Sequence, residues 1–379
     1  MHQFQAGNYI QQGYYKSFQP GFINRSWEIT DMQLLQLLSR ADRHLGRLDM
    51  YSEYVNIELF IRMHIAKEAT QSSKIEGTQT NIEEAFLPRE EIDSEKRDDW
   101  EEVQNYIEAM NEAVKLLHTL PFSSRLIRQT HKVLLQGVRG KHKQPGHYRG
   151  SQNWIGGATI NDAVFIPPAQ HTIDELMGDL EKFANDEFNP LPDLLKVALI
   201  HYQFETIHPF LDGNGRVGRL LITLYLVSKG ILKQPILYLS DFFERNRILY
   251  YDNLMRVRIH NDINQWLKFF LTGIIETAKS GVATFDGILQ LQKAIDQKLK
   301  DVGVRSGDAY KVVNYMYSQP VVNAQTVGVV IGKQPKAAYK MIGLLEELEI
   351  VKEITGGQRG KLYAFEGYLQ LFESHKETY

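Results

Sequence analysis

The sequence predicts a mainly α-helical protein. Most of its 379 residues fall in stretches where apolar residues recur every three or four positions, which is the spacing of one helix face. Alternating, β-like patterns are confined to short pieces around residues 153–166 and near residue 360. Hydrophobic residues make up 43% of the chain and charged residues 23%, which is typical of a globular protein with a sizeable core.

The composition excludes several classes of protein. A net charge of −3 gives no overall attraction to nucleic acids or to anionic membranes. The chain has no cysteine, which excludes disulfides and cysteine-ligated zinc and fits a reducing cytoplasm. It shows no basic-then-apolar leader and no apolar run of membrane-spanning length, so we expect a cytoplasmic protein without a membrane partner.

The helical patterns can be placed along the chain in order. They cover residues 30–54, 56–75, 99–118, 123–136, 173–185, 192–207, 241–258 and 262–275, followed by a more polar helix at 276–300, and the apolar run 220–227 belongs to a further helix after 192–207. Thr30 or Asp31 can cap the first helix, and Asp99 can cap the third. Residues 1–25 have no clear period and predict an extended arm, whereas the charged stretch 81–98 predicts a solvated surface.

A small β-hairpin is predicted between the fourth and fifth helices. Two β-like pieces, 153–155 and 163–166, flank a turn that contains Gly and Asn, and Pro167-Pro168 closes the segment. The pattern fits a plain surface hairpin as well as a functional element.

Residues 305–379 have the pattern of a separate domain. Helices are predicted at 308–317, 323–331 and 335–348, followed by two strands around a Gly-rich turn at 356–360. Three helices and then a hairpin form a winged-helix pattern. The third helix and its N-terminal flank carry three lysines, Lys333, Lys336 and Lys340. Because Glu346 and Glu347 follow closely, contact with DNA and contact with protein both stay open.

The stretch from His208 to Arg219 concentrates unusual residues between two helices. Residues 213–215, Gly-Asn-Gly, fit a tight loop that opens a helix, where free backbone N–H groups bind anions. Arg216 and Arg219 are three apart and share one helix face, and cations at a helix N-terminus are unfavourable unless an anion compensates them. Asp212 can bind a hard cation such as Mg²⁺, and His208 can take a proton near neutral pH.

Gly218 adds to this pattern, because glycine in the first turn of a helix costs roughly 1 kcal/mol against alanine and indicates close backbone approach. A lone Gly-Asn-Gly is usually only a turn, and a lone histidine is usually structural. Here seven or eight of twelve residues suit a single purpose, which favours a functional loop.

The stretch 208–219 resembles the signature of the Fic/Doc family, His-x-Phe-x-Asp-Gly-Asn-Gly-Arg-x-x-Arg, at every specified position. The resemblance implies a helical core that transfers AMP from ATP to a Ser, Thr or Tyr hydroxyl of a target protein. It implies that His208 is the catalytic base and that Asp212 holds the cofactor Mg²⁺. It also implies that ATP contacts the residues Asp212, Gly213, Asn214, Gly215, Arg216, Val217, Gly218 and Arg219.

Ser72, Glu76 and Gly77 end the second predicted helix, and from spacing alone Glu76 is best explained as a solvated side chain. The three residues resemble the inhibitory motif of Fic proteins, Ser or Thr, three residues, Glu, then Gly or Asn. The resemblance implies that Glu76 pairs with Arg219 at the ATP site and displaces the γ-phosphate.

Further ATP contacts follow from the same resemblance. The hairpin is similar to the family's flap over the active site, which places Ile160, Asn161, Asp162 and Ala163 near the nucleotide. Tyr250 and Tyr251 resemble an aromatic pair beside adenine and ribose, and Arg258 matches another nucleotide-side position. Paired tyrosines on a helix also fit ordinary packing.

These inferences give four regions: an N-terminal helical region with the inhibitory helix (1–98), a Fic core (99–275), a linker helix (276–304) and a winged-helix domain (305–379). The expected partners are ATP and an unidentified target protein, and a homodimer is left open. Alternatives are a DNA-binding regulator with a vestigial or sensing nucleotide site, and transfer of UMP or a phosphorylated alcohol. Removal of AMP, with Glu76 positioning a water, is also left open.

Overall fold

The computed structural model of the chain confirms a mainly α-helical fold. It describes residues 4–54, 56–137, 141–300, 303, 306–356 and 360–373. The elements before the signature loop are β1 (Gly7–Gln12), β2 (Tyr15–Pro20), α1 (Met32–Tyr54), α2 (Ile57–Ile75), α3 (Arg97–Leu116), α4 (Ser124–Leu134), α5 (Ile173–Asn185) and α6 (Asp193–Ile207). Those after it are α7 (Asn214–Ser228), α8 (Ser240–Arg245), α9 (Arg247–His260), α10 (Ile263–Lys300), α11 (Ser306–Ser318), β3 (Val321–Asn323), α12 (Ala324–Ile331), α13 (Pro335–Glu347), β4 (Lys352–Glu353), β5 (Leu362–Ala364) and α14 (Glu366–Leu369).

The centre of the molecule is the pair α6 and α7. Every side chain of α6 from Leu194 to Ile207 is buried, including the polar residues Lys196, His201, Gln203, Glu205 and Thr206, so neighbouring elements cover this helix on all sides. Helices α5, α7 and α10 surround α6, while α2, α3 and α4 reach α7. The loop that joins α6 to α7 therefore lies where the N-terminal helices can touch it.

The predicted extended arm at the N-terminus is an antiparallel β-hairpin. Strands β1 and β2 pair from Gly7 opposite Pro20 to Gln12 opposite Tyr15. The Phe18 N–H donates to the carbonyl oxygen of Ile166 at 2.9 Å, and the Phe18 ring is buried. The arm thus packs against the segment before α5.

The two predicted helix caps have different outcomes. Asp31 caps α1, because its Oδ1 accepts from the N–H groups of Gln33 and Leu34. Asp99 does not cap α3, which begins at Arg97 and places Asp99 inside the first turn. Its carboxylate instead accepts from the N–H of Gln79 at 3.0 Å and ties α3 to the start of the loop that joins α2 to α3. That loop carries three one-turn 3₁₀ helices over the charged stretch, 84–86, 89–91 and 94–96.

The predicted hairpin at 153–166, here named the flap, pairs at a single position. Ile155 and Phe165 form one antiparallel bridge, and a one-turn 3₁₀ helix lies between them at 160–162. The prediction of two strands is therefore wrong in extent. Gly156 and Gly157 follow the bridge with φ of +69° and +75°, which turns the backbone away from extended pairing.

Helix boundaries after the signature loop also differ from those predicted. The helices predicted at 262–275 and 276–300 are one continuous helix, α10, so the expected core–linker boundary falls inside it. Helix α1 packs along α10, and Leu48 lies against Gly281. The single helix predicted at 241–258 is two, α8 and α9, separated at Asn246.

The C-terminal region contains helices α11, α12 and α13 close to their predicted positions. Strands β3, β5 and β4 form a three-stranded antiparallel sheet in that order, with β3 added to the predicted hairpin. Residues 357–359 of the Gly-rich turn lie outside the described residues. Assignment of this region to the winged-helix class stays a prediction. Within the described parts of the chain, no helix is both long and apolar enough to cross a membrane.

Candidate active site

The signature loop begins with an unusual backbone conformation at His208. This residue ends α6 with φ 50° and ψ 59°, in the left-handed region that non-glycine residues seldom occupy. Its N–H donates to the carbonyl oxygen of Phe204 at 2.9 Å. Such conformations are characteristic of functional sites, where the surrounding structure enforces them.

Two side chains hold the loop in shape. Asn214 accepts from the N–H of Phe210 at 2.8 Å and donates to its carbonyl oxygen at 2.9 Å. His131 stacks on the Phe210 ring with centroids 3.6 Å apart. Its Nδ1 accepts from the Gly146 N–H, so Nε2 carries the proton and donates to the Asp212 carbonyl oxygen. Burial lowers the pKa of His131 to about 4, which keeps it neutral. Sequence reasoning missed His131, because nothing in its local pattern shows that contact.

The N-terminus of α7 faces a carboxylate. Gly213 caps the helix with φ +75°, and the next three N–H groups have no partner within the helix. A side chain on Gly215 would overlap the carboxylate of Glu76 and crowd the guanidinium of Arg219. The position predicted to bind an anion thus has a carboxylate of the same chain beside it.

The predicted pair between Glu76 and Arg219 is present. Arg219 Nη2 donates to Glu76 Oε1 at 2.7 Å, and the Arg219 side chain is only 1% exposed. Ser72 completes the contact, because its Oγ accepts from Arg219 Nε and its carbonyl oxygen from Nη2, both at 2.9 Å. Burial opposes ionisation of Glu76, but Arg219 outweighs it and holds the pKa of that carboxyl below its usual value. Gly77 ends the motif with φ +107°.

Arg216 has a carboxylate partner of its own. Its Nη1 donates to Oε2 of Glu102 on α3 at 2.8 Å, while its Nη2 lies 3.9 Å from Asp212 Oδ1. Both signature arginines are therefore bound by acidic side chains of the N-terminal helices. Glu102 carries no signal in the sequence beyond being one of several acidic residues on a predicted helix.

Gly218 makes the predicted close approach, although α7 begins at Asn214 and so places this glycine just past the first turn. A side chain there would overlap Glu205 Oε1 and crowd the ring of Phe204. The Gly218 carbonyl oxygen accepts from His201 Nδ1 at 2.9 Å. Glu205 is buried, and its Oε1 has no hydrogen-bond partner in the part of the chain that the structure describes. Burial raises the pKa of Glu205 to about 7, although Arg219 opposes this.

The imidazole of His208 is held in its neutral form. Burial, followed by the charges of Arg258 and Arg149, lowers its pKa to about 3. Its Nδ1 is buried. Arg149 also fixes the backbone here, because its Nε donates to the His208 carbonyl oxygen at 3.0 Å. A neutral imidazole can accept a proton from a substrate at physiological pH.

The remaining predicted ATP contacts are spread around this centre. Residues 160–162 form the 3₁₀ turn of the flap, and Ala163 follows it. Asp162 in this turn accepts from the N–H groups of Ala158 and Thr159. A hydrogen bond from the Thr159 hydroxyl, together with these two N–H bonds, lowers the pKa of Asp162 to about 2. Val217 is wholly buried, so only its backbone can face a ligand.

The aromatic pair separates into two environments. Tyr250 is 1% exposed and its hydroxyl donates to His201 Nε2 at 2.8 Å, which agrees with the packing interpretation, and its contact with the nucleotide stays a prediction. Tyr251 is 39% exposed and stays a candidate. Arg258 is buried under the flap, with its guanidinium 3.8 Å from the ring centroid of Phe165. It donates to the carbonyl oxygen of Glu205 at 3.2 Å, which places it beside the end of α6.

The carboxylate of Asp212 suits a cation shared with a substrate. Its side chain is 46% exposed, and its Oδ1 accepts from the Gly213 N–H at 2.6 Å. Among the described residues, no group of three or more His, Cys, Asp or Glu side chains could hold a metal ion. One carboxylate alone fits Mg²⁺, which commonly takes its other ligands from substrate phosphates and water.

Comparison with known proteins agrees with this geometry. Residues 35–115 match the model of the Fic/DOC family N-terminal region, and residues 121–226 match that of the Fic/DOC family. The chain is 30% identical over 125 residues to "Protein adenylyltransferase Fic" of Drosophila yakuba, which covers 33% of this chain and 22% of that protein. It is 26% identical over 188 residues to a probable protein adenylyltransferase of Aquifex aeolicus, which covers 45% of this chain and 55% of that protein.

A solved structure shares the fold over nearly the whole chain. The crystal structure of a Fic family protein from Desulfovibrio desulfuricans is 19% identical, with a TM-score of 0.56. The match covers 90% of this chain and 98% of that one. The matched domains, the relatives and the signature loop lead to one conclusion: the chain belongs to the Fic/DOC family.

Proposed function

We propose that this chain is a protein adenylyltransferase, which transfers AMP from ATP to a hydroxyl side chain of a target protein. One observation carries the proposal: a neutral imidazole, an exposed carboxylate and a helix N-terminus with two arginines meet in a single loop. The names of the relatives support the same reaction, because both are described as adenylyltransferases or probable ones.

The proposed reaction is an in-line substitution at the α-phosphorus. The target oxygen bonds to that phosphorus, the bond to the bridging oxygen of the β-phosphate breaks, and pyrophosphate leaves. His208 takes the hydroxyl proton, and Nε2 is the acceptor because Nδ1 is buried. The N–H groups that open α7 stabilise the developing charge. Mg²⁺ on Asp212, when bound, would neutralise charge on the phosphates.

Arg216 and Arg219 would bind the β- and γ-phosphates. In the structure both guanidiniums already bind carboxylates, which supports a resting state that excludes the productive triphosphate. We therefore include autoinhibition by Glu76 in the proposal, with Ser72 as the second group that orients Arg219.

Incubation of the Glu76→Gly variant with α-labelled ATP, Mg²⁺ and cell lysate tests the proposal. Labelled protein bands are expected from this variant, weaker ones from the unaltered chain, and none once His208→Ala is added. The double variant should still bind ATP, which separates loss of chemistry from loss of the site. Absence of labelling by a well-folded Glu76→Gly variant that binds ATP would instead favour a sensing or vestigial site.

A further inference from the structure

Arg216 lies between two carboxylates at unequal distances. Glu102 Oε2 accepts from Nη1 at 2.8 Å, whereas Asp212 Oδ1 is 3.9 Å from Nη2. Glu102 is on α3, far from the loop in sequence, while Asp212 is on the loop itself. The pair with Glu102 is a formed hydrogen bond, and the pair with Asp212 is only at the limit of an ion pair.

The guanidinium of Arg216 needs such a partner because its side chain is only 6% exposed. A buried charge is strongly unfavourable unless it is paired and hydrogen-bonded. Its Nε is also buried and has no hydrogen-bond partner within the residues that the structure describes. The bond to Glu102 is therefore the main compensation for this charge.

Loss of Glu102 would leave Asp212 as the remaining carboxylate in contact with Arg216. The two residues are four apart, a spacing that brings side chains together at the start of a helix. Movement of the guanidinium by about 1 Å would turn the 3.9 Å approach into a hydrogen-bonded pair. An Asp212 carboxylate bound in that way would offer less negative charge and fewer free lone pairs to a cation.

We propose that Glu102 is a positioning residue that holds Arg216 away from Asp212 and so keeps Asp212 available for Mg²⁺. The inference rests on the proposed function only in the use of a magnesium nucleotide by the site. Both carboxylates bind an arginine that is proposed to bind phosphate, but Glu102 has a second effect that Glu76 lacks, because it keeps its arginine off a metal ligand.

Nucleotide binding measures this effect without catalysis. Titration calorimetry of the Glu76→Gly chain with a non-hydrolysable ATP analogue, in Mg²⁺ and in EDTA, gives the factor by which Mg²⁺ improves affinity. Adding Glu102→Gln should reduce that factor about tenfold, the effect of one lost charge-assisted contact. Glu101→Gln is the matched control, because Glu101 is next to Glu102 on α3 but pairs at the surface with Arg89. It should change the factor less than twofold.

A second pair of measurements separates positioning from general damage. Combining Glu102→Gln with Arg216→Gln should restore the factor, since no guanidinium remains to bind Asp212. A crystal structure of the Glu102→Gln chain without nucleotide should show Arg216 hydrogen-bonded to Asp212. Arg216 unmoved in that crystal, or an unchanged factor in a variant that binds nucleotide, overturns the inference. Failure of the Glu76→Gly chain to bind nucleotide would reject the proposed function, and the crystal structure would still decide the role of Glu102.

Discussion

The contact between Glu76 and Arg219 should be the largest single obstacle to ATP binding. It joins a buried guanidinium to a carboxylate at 2.7 Å, and that carboxylate lies beside the N-terminus of α7. A hydrogen bond between charged groups contributes about 1.5–3 kcal/mol. Because the Glu76 side chain is 37% exposed, we place the bond between Glu76 and Arg219 at the lower end of this range. Because 1.4 kcal/mol is a factor of ten, Glu76→Gly should tighten ATP binding by about ten- to thirtyfold.

The same substitution should weaken the nucleotide-free fold. Arg219 loses its carboxylate but keeps both acceptors on Ser72, so we expect a loss of about 1.5–3 kcal/mol in the free energy of unfolding. Glycine itself is tolerated at position 76, which follows the last residue of α2 and is not inside the helix. Mg²⁺ and an ATP analogue should reverse the loss by mass action.

Calorimetry with a non-hydrolysable ATP analogue measures the first effect, and thermal unfolding with and without that analogue measures the second. Glu58→Gly is the matched control, since it removes an exposed carboxylate from the first turn of the same helix. It should leave the affinity unchanged. Equal affinities for the unaltered chain and Glu76→Gly would show that the carboxylate does not compete with phosphate, and the inhibitory assignment would be wrong.

Three further predictions concern His208, Glu205 and Gly218, which lie in or beside the loop. The proposed base, His208, is neutral because its pKa is lowered to about 3, so transfer by Glu76→Gly should persist to below pH 6; a half-loss near pH 6.5 would contradict this. The pKa of Glu205 is raised from 4.5 to about 7, so the folded chain favours the protonated carboxyl. The stabilisation from that proton is lost as the pH rises from 4.5 to about 7. Between pH 5 and pH 8 the free energy of unfolding, measured with urea, should fall by about 2 kcal/mol less for Glu205→Gln than for the unaltered chain. Equal falls in the two proteins would refute the raised pKa. Gly218→Ala should cost about 1–3 kcal/mol through its clash with Glu205. Gly178→Ala, on α5 with open space, should instead stabilise by about 0.5–1 kcal/mol in the same unfolding assay.

The local part of the site was predictable because its signals are contiguous. All of these signals lie in one twelve-residue stretch. Its two glycines, at the left-handed cap and near the start of the helix, meet requirements of the backbone, and its two arginines, three apart, share one helix face. The structure places the loop between two helices, as those residues indicate. The pairing of Glu76 with Arg219 needed the family resemblance, since the spacing of Ser72 and Glu76 alone fits a solvated face.

The distant part of the site was not predictable from local patterns. Glu102 and His131 touch the loop from α3 and α4, and those contacts depend on how the helices pack on α7. One acidic residue among many on α3 gives no sign of which one turns inward. The prediction of two strands in the flap was wrong in extent for another reason. The composition is β-like, but consecutive glycines at 156 and 157 limit the pairing to one bridge.

Charge balance links the proposed inhibition to the proposed metal. Two signature arginines face three carboxylates, Glu76, Glu102 and Asp212, so the cluster carries about one negative charge without a ligand. A triphosphate brings roughly four more negative charges. Such a ligand would be repelled unless a carboxylate leaves and a cation enters. Glu76 is suited to leave, because it ends α2 and is more exposed than Glu102 (37% against 20%). Mg²⁺ on Asp212 then supplies the remaining compensation, so release of Glu76 and uptake of Mg²⁺ should strengthen each other.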